Sequence, residues 1–269
     1  MITRHLTILA TVSSLLTFQS ATSQTKIPRF SEPPHNYWER TVRDPFSAIK
    51  EDLASGRYKL DTSSEKAFVA DVLKALDIPV SSQILVFSTT SLQLRIINYR
   101  NPRALYFNED VYVGWVPGGK IEVISIDPDI GGIFHIFDIP STPRPPNIDK
   151  SMRCTNCHAG SDVGRVPVLL AKSVIPGPNA GSLDAYRIEE TGHGIPFSER
   201  FGGWYLTGQH NISRHWANLT GELSPAGLKT TRVEPGQHFD WNRYPVKTSD
   251  ILPHLLHEHQ VGFVNRAIA

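Results

Sequence analysis

Val111-Tyr112-Val113-Gly114-Trp115-Val116 and Ile121-Glu122-Val123-Ile124-Ser125-Ile126 are two β-branched and aromatic runs joined through Pro117-Gly118-Gly119. Such runs suit a pleated, half-buried surface and a Pro-Gly-Gly connection suits a turn, so the pair reads as a hairpin. Working outward, Ile84 to Phe87 and Ala104 to Phe107 on one side, and Ile133 to Phe137 on the other, have the same character. Parallel strands need crossovers of roughly a dozen residues or more. The short spacers here therefore predict an antiparallel meander.

Upstream of the sheet the period changes. Thr62 followed by Glu65 reads as a capping box, and Phe68, Val69, Val72, Leu73 and Leu76 then line one face until Asp77 and Pro79, predicting a helix over 63–77. Pro28 to Pro34 with Asn36-Tyr37-Trp38 reads as an extended arm that its aromatics dock. Downstream, the Pro-rich loop from Pro140 to Asp149 delivers the chain to Cys154, Gly and Pro punctuate it as far as Gly202-Gly203, and periodic helix returns over about 249–269. There is no internal repeat. The expected fold class is α+β: an antiparallel sheet half with flanking helices, residues 24–150, then a loop-rich, helix-containing half, residues 151–269, the two able to form one unit.

Residues 1–23 are set apart. Arg4 and His5 precede an apolar run from Leu6 to Phe18, and Ala21 and Ser23 supply the small side chains a signal peptidase needs. The run is too short for a hydrocarbon core, which takes about 20 residues, so the segment reads as a signal peptide cleaved near Ser23, placing the mature protein in the periplasm. A buried N-terminal helix is the plainer alternative, but the run lacks polar positions at the helical period. A formal net charge of +1 supplies no field to hold nucleic acid, and no later segment reaches transmembrane length.

The chain has two cysteines, both within Cys154-Thr155-Asn156-Cys157-His158, the C-x-x-C-H pattern of c-type haem attachment. Two thiols three positions apart on one helical turn can each add to a porphyrin vinyl group, while the adjacent imidazole becomes the proximal iron ligand. One haem c per chain is expected, with Cys154 and Cys157 as thioether anchors and His158 on the iron. A thioredoxin-like redox pair, a zinc site recruiting His210 and His215, and a structural disulfide compete with this reading. Export favours haem, because thioether bonds hold thiols that would otherwise oxidise outside the cytoplasm.

The distal ligand is less constrained. Apart from Met1, the one methionine is Met152, too near the motif to reach the opposite haem face. His193, His210 and His215 lie in the loop-rich stretch, and His210 is the favoured candidate because Gly202-Gly203-Trp204-Tyr205-Leu206-Thr207-Gly208-Gln209 before it suits a backbone passing close to a flat macrocycle. The same segment also reads as a tight turn with core aromatics. His254 and His257, at i and i+3 on the last helix, read as a solvated face.

Ser81 to Ser88, Asn101 to Asn108, Val111 to Val116, the haem motif, Arg200 to Gly208 with His210, His215 and Asn218, and Ser249 to Leu252 with Glu258-His259-Gln260 together resemble an uncharacterised family of exported bacterial proteins with a cytochrome c domain, frequent in planctomycete-like bacteria. The resemblance spans residues 33–266 and implies haem c without implying a reaction. It also implies a C-terminus shorter than those of relatives, which often continue past the Glu-His-Gln segment. The motif lies far from the N-terminus, unlike that of small soluble cytochromes, so a different fold is expected. The leading expectation is an electron carrier with an unidentified redox partner protein. A peroxidase-type enzyme, using Arg200, His193 and Glu199, is the alternative if the distal site is open, and a haem-bearing interaction module is a third; without haem the cysteines revert to a disulfide or metal role.

Overall fold

The computed structural model describes residues 29–183 and 190–268. The expected signal segment, 1–23, lies outside the described residues. The molecule is α+β, built on a seven-stranded antiparallel sheet in the order β6-β5-β4-β3-β2-β1-β7. The expected meander runs from β1 (Ile84–Val86) through β2 (Arg103–Phe107), β3 (Val111–Trp115) and β4 (Ile121–Asp127) to β5 (Gly131–Phe137), each strand pairing with the next. Two short strands extend it: β6 (Asp149–Lys150) beside β5, and β7 (Trp204–Tyr205) beside β1. The half that carries the cysteines thus contributes a strand to the sheet.

Alternation along the strands separates two faces. One presents Leu85, Ala104, Tyr106, Val113, Trp115, Val123 and Phe137 to two helices, α1 (Pro45–Ser55) and α2 (Glu65–Ala75), and to Val233, Phe239 and Tyr244 from the second half. The other presents Val86, Leu105, Phe107, Tyr112 and Ile124 to Leu169, Ala171, Phe201 and the C-terminal helix α4 (Ile251–Ile268). Burial on both faces makes the strands mostly apolar, with Arg103, Glu122, Ser125 and His135 as buried polar exceptions, and the result is three layers.

The helix expected over 63–77 forms over Glu65–Ala75, but its cap differs. Ser64, not Thr62, is the N-cap; its hydroxyl accepts from the Ala67 amide at 3.1 Å. Glu65 is then the first helical residue, and its carboxylate accepts from the Gly118 amide in the Pro117-Gly118-Gly119 turn, tying helix to hairpin. The arm's aromatics dock it as expected, although from residue 30 to 40 it folds into successive hydrogen-bonded turns and is not extended: the Tyr37 hydroxyl donates to the Gly132 carbonyl at 2.6 Å, and the Lys150 ammonium lies over the Tyr37 and Trp38 rings. The sequence reading passed over α1 and an exposed hairpin, β8 (Leu219–Ser224) with β9 (Gly227–Arg232).

Candidate haem-attachment site

The motif forms a one-turn helix, α3 (Thr155–His158), with Cys154 already in helical geometry before it. The His158 amide donates to the Cys154 carbonyl at 3.0 Å, and the Thr155 hydroxyl closes the turn on the Met152 carbonyl at 2.7 Å. The two cysteines are not joined in a disulfide. Cys154 is half-buried against the cluster of Tyr37, Ile130, Ile133 and Phe134, while Cys157 and Met152 are exposed.

The His158 side chain packs on the same cluster. Its ring meets Phe134 of β5 at 4.9 Å, and Nδ1 lies 2.8 Å from the Val168 carbonyl oxygen. A carbonyl only accepts, so Nδ1 carries the proton. Burial lowers the pKa of His158, keeping the ring neutral, and a neutral ring protonated at Nδ1 leaves the Nε2 lone pair free for a metal. Orientation of a ligating imidazole by a bond at its other nitrogen is how proteins fix a metal-binding tautomer.

The acceptor is itself held firmly. Val168 donates its amide back to the His158 carbonyl at 2.9 Å, Pro167 accepts from Gly132 of β5 at 3.0 Å, and Leu169 is gripped on both its amide and carbonyl by the side chain of Asn265 on α4, at 2.9 and 2.8 Å. Sheet, motif and C-terminal helix meet on these three residues.

Beside the motif, Arg103 of β2 reaches across β3 to Glu122 of β4 at 2.8 Å, with both side chains about nine-tenths buried. Gly114 makes this possible: a Cβ there would run into the guanidinium. Glu122 also accepts from the Ser91 hydroxyl, whereas Arg103 Nε is buried without a partner. The pair lies close enough to bear electrostatically on both Cys154 and His158.

No family model, curated protein or solved structure matches this chain. The competing readings must therefore be weighed on chemistry. A thioredoxin-like attacking cysteine needs a lowered pKa, whereas burial pushes the Cys154 thiol up. Its turn also follows an antiparallel strand rather than standing in a βαβ unit. A structural zinc site needs about four ligands, and among the described residues no three His, Cys, Asp or Glu side chains gather as such a group. Haem makes no such demand, since the porphyrin supplies four donors and the protein one or two.

His210 packs on His215 with ring centres 5.2 Å apart, and His215 packs on Phe201 at 6.3 Å. His193 pairs with His259 at 5.4 Å. Arg200 is engaged with Glu258, 3.4 Å away, and with the carbonyls of Ile195 and His193. Burial pushes the Glu258 carboxyl up to about 7 against the opposing pull of Arg200. The glycine-aromatic segment follows the second of its two readings. A Cβ at Gly202 would run into the Val174 carbonyl, the Gly203 carbonyl accepts from the Phe87 amide at 2.8 Å, and Trp204 and Tyr205 are core residues of β7.

The solvated-face reading of His254 and His257 is corrected. They are 2% and 3% exposed, while Leu252, Leu256 and Phe263 face outward from α4. His254 is satisfied within the protein: its Nε2 lies 3.0 Å from the Tyr205 carbonyl and 3.2 Å from the Ser249 hydroxyl.

Proposed function

We propose that this chain is an exported, periplasmic c-type cytochrome that carries one covalent haem and passes single electrons to and from a partner protein. The observation that carries this reading is the His158 imidazole, held by the Val168 carbonyl in the tautomer that frees Nε2, on the same helical turn as both cysteines of the chain. Cys154 and Cys157 would hold the macrocycle through thioethers and His158 would bind its iron; when bound, the haem supplies a reversible one-electron couple.

The protein's own part is positional and electrostatic. The Pro167-Val168-Leu169 segment fixes the ring, Phe134 supports it, and the Arg103–Glu122 pair places two opposed charges nearby without adding net charge. Exposure of Cys157 and Met152 leaves one edge of the site open to a partner. Among the described residues no helix is long and apolar enough to cross a membrane, and a net charge of +1 argues against nucleic acid as the partner.

The test is a pyridine haemochrome assay with reduced-minus-oxidised spectra on protein expressed alongside a haem-attachment system. A c-type band stoichiometric with protein is expected. His158→Ala should abolish the wild-type low-spin spectrum. Absence of covalent haem in the wild-type protein would return the cysteines to a disulfide or metal role.

A further inference from the structure

We propose that His257 is the second protein ligand of the haem iron, an inference that rests on the attachment of haem at Cys154 and Cys157. His257 is 3% exposed, yet neither Nδ1 nor Nε2 has a hydrogen-bond partner. A neutral imidazole offers one donor and one acceptor, and a buried polar group left unsatisfied pays its full desolvation cost, so native proteins seldom tolerate one without a purpose such as an ion or ligand. His254, one turn earlier on α4, finds partners in the Tyr205 carbonyl and the Ser249 hydroxyl. His257 therefore stands out within its own helix.

Its position fits the role. The ring rests on Tyr112 at 5.5 Å, Trp204 at 5.7 Å and Phe107 at 5.8 Å, on the sheet face away from α1 and α2. Tyr112, Ile124 and Phe134 are directly opposite one another across β3, β4 and β5, and Phe134 is the ring that His158 meets. The two imidazoles thus rest on residues two strands apart on one face, a separation of roughly 10 Å at the backbone. Two metal–imidazole bonds of about 2 Å each, with the rings beyond them, fall within that span.

The ground around the two rings is also suggestive. Gly114 contributes no side chain to this face, and Arg103 lies over it, near enough to act on both His158 and His257. Arg103 Nε and the Tyr112 hydroxyl are also buried and unpartnered there, so unsatisfied polar atoms gather around the His257 ring although the Arg103 guanidinium is paired with Glu122.

The other candidates are placed less well. Met152 is 66% exposed beside the cysteines, and His193 pairs with His259. His210 also has an unpartnered Nδ1, but it packs on His215, and the ring contacts lead from that pair through Phe201 and His254 before reaching Trp204. His135, with an unpartnered Nδ1 as well, packs on Phe46 of α1 across the sheet.

The experiment uses the full-length holoprotein, first checked for covalent haem by pyridine haemochrome, and reads spin state by electron paramagnetic resonance and absorption. The expected wild-type signature is low-spin with two imidazoles. His257→Ala should convert it to high-spin, with low-spin restored by added imidazole. His257→Met, closer to the wild-type volume, should introduce the far-red sulfur-to-iron charge-transfer band and raise the reduction potential. His210→Ala should leave the spectrum unchanged. Stoichiometric haem with an unaltered low-spin spectrum in both His257 variants overturns the assignment while leaving haem attachment standing, as does a high-spin wild type or loss of the low-spin signal in His210→Ala. Wild-type protein without covalent haem overturns both.

Discussion

Replacing Glu122 with Leu tests the most exposed assumption about the site, that Arg103 and Glu122 act as one buried unit. The bond is 2.8 Å long, the two side chains are 10% and 11% exposed, and Arg103 Nε has no other partner to turn to. Removing one member of such a pair leaves a desolvated charge and typically costs about 3–5 kcal/mol. The residual exposure admits some solvent, so a loss of about 3 kcal/mol is expected for Glu122→Leu, and a similar loss for Arg103→Met. Replacing both should cost about 1 kcal/mol or less, because apolar side chains of similar volume fill the face without a stranded charge.

Equilibrium urea unfolding of the four proteins, at matched haem content, gives the coupling energy through a double-mutant cycle. The singles should each lower the midpoint strongly, and the double variant should recover most of the loss. Single losses below about 1 kcal/mol, adding simply in the double variant, are what a solvent-screened surface pair gives. That result would refute the claim that the pair acts as one buried unit.

Three further outcomes are expected. Ser64→Ala should cost about 1 kcal/mol in the same unfolding assay, while Thr62→Ala should change stability by less than about 0.5 kcal/mol, since only Ser64 caps α2. Asn265→Ala removes both bonds to Leu169 and should cost about 1–3 kcal/mol, with a shifted reduction potential in the holoprotein as the Val168 carbonyl loosens its hold on His158. His135 is held neutral by burial, its pKa pushed down to about 4. The unfolded ring takes up a proton below about 6.5, so the folded state loses up to about 3 kcal/mol as pH falls from about 6.5 to about 4. His135→Phe should reduce the acid slope of the unfolding midpoints over that window by one group's share, the buried His254 and His257 keeping theirs, and an unchanged slope would count against burial as the cause.

The sheet was legible because both its faces are covered. Continuous apolar strands such as Ile84–Val86 and Val111–Trp115 stand out against short polar turns, and their spacing left antiparallel order as the economical topology. The α1 helix was missed although its signals were present: Asp44 caps it by accepting from the Ser47 amide, Pro45 opens it, and Gly56 ends it in the left-handed region. The β8–β9 hairpin gave no comparable signal, because strand β9 is exposed throughout and no buried face imposes a pattern. Choosing Thr62 over Ser64 as the cap reflects how little separates two hydroxyls two positions apart when local pattern alone decides.

The candidate site divides in the same way. Cys154, Cys157 and His158 stand out in the sequence because their spacing matches an attachment pattern, whereas Val168, Asn265 and the Arg103–Glu122 pair come together only through the sheet and α4, from positions as far apart as 103 and 265. The burial of His254, His257 and Glu258 ran against their composition. A helix face bearing two imidazoles and a carboxylate reads as solvated unless the partners in other elements are known, here Tyr205, Ser249 and Arg200. Those partners account for His254 and Glu258 but leave His257 without one. His257 is the one side chain among the described residues with two buried polar atoms and a partner for neither, and it lies on the same sheet face as His158, where the proposed second iron ligand would stand.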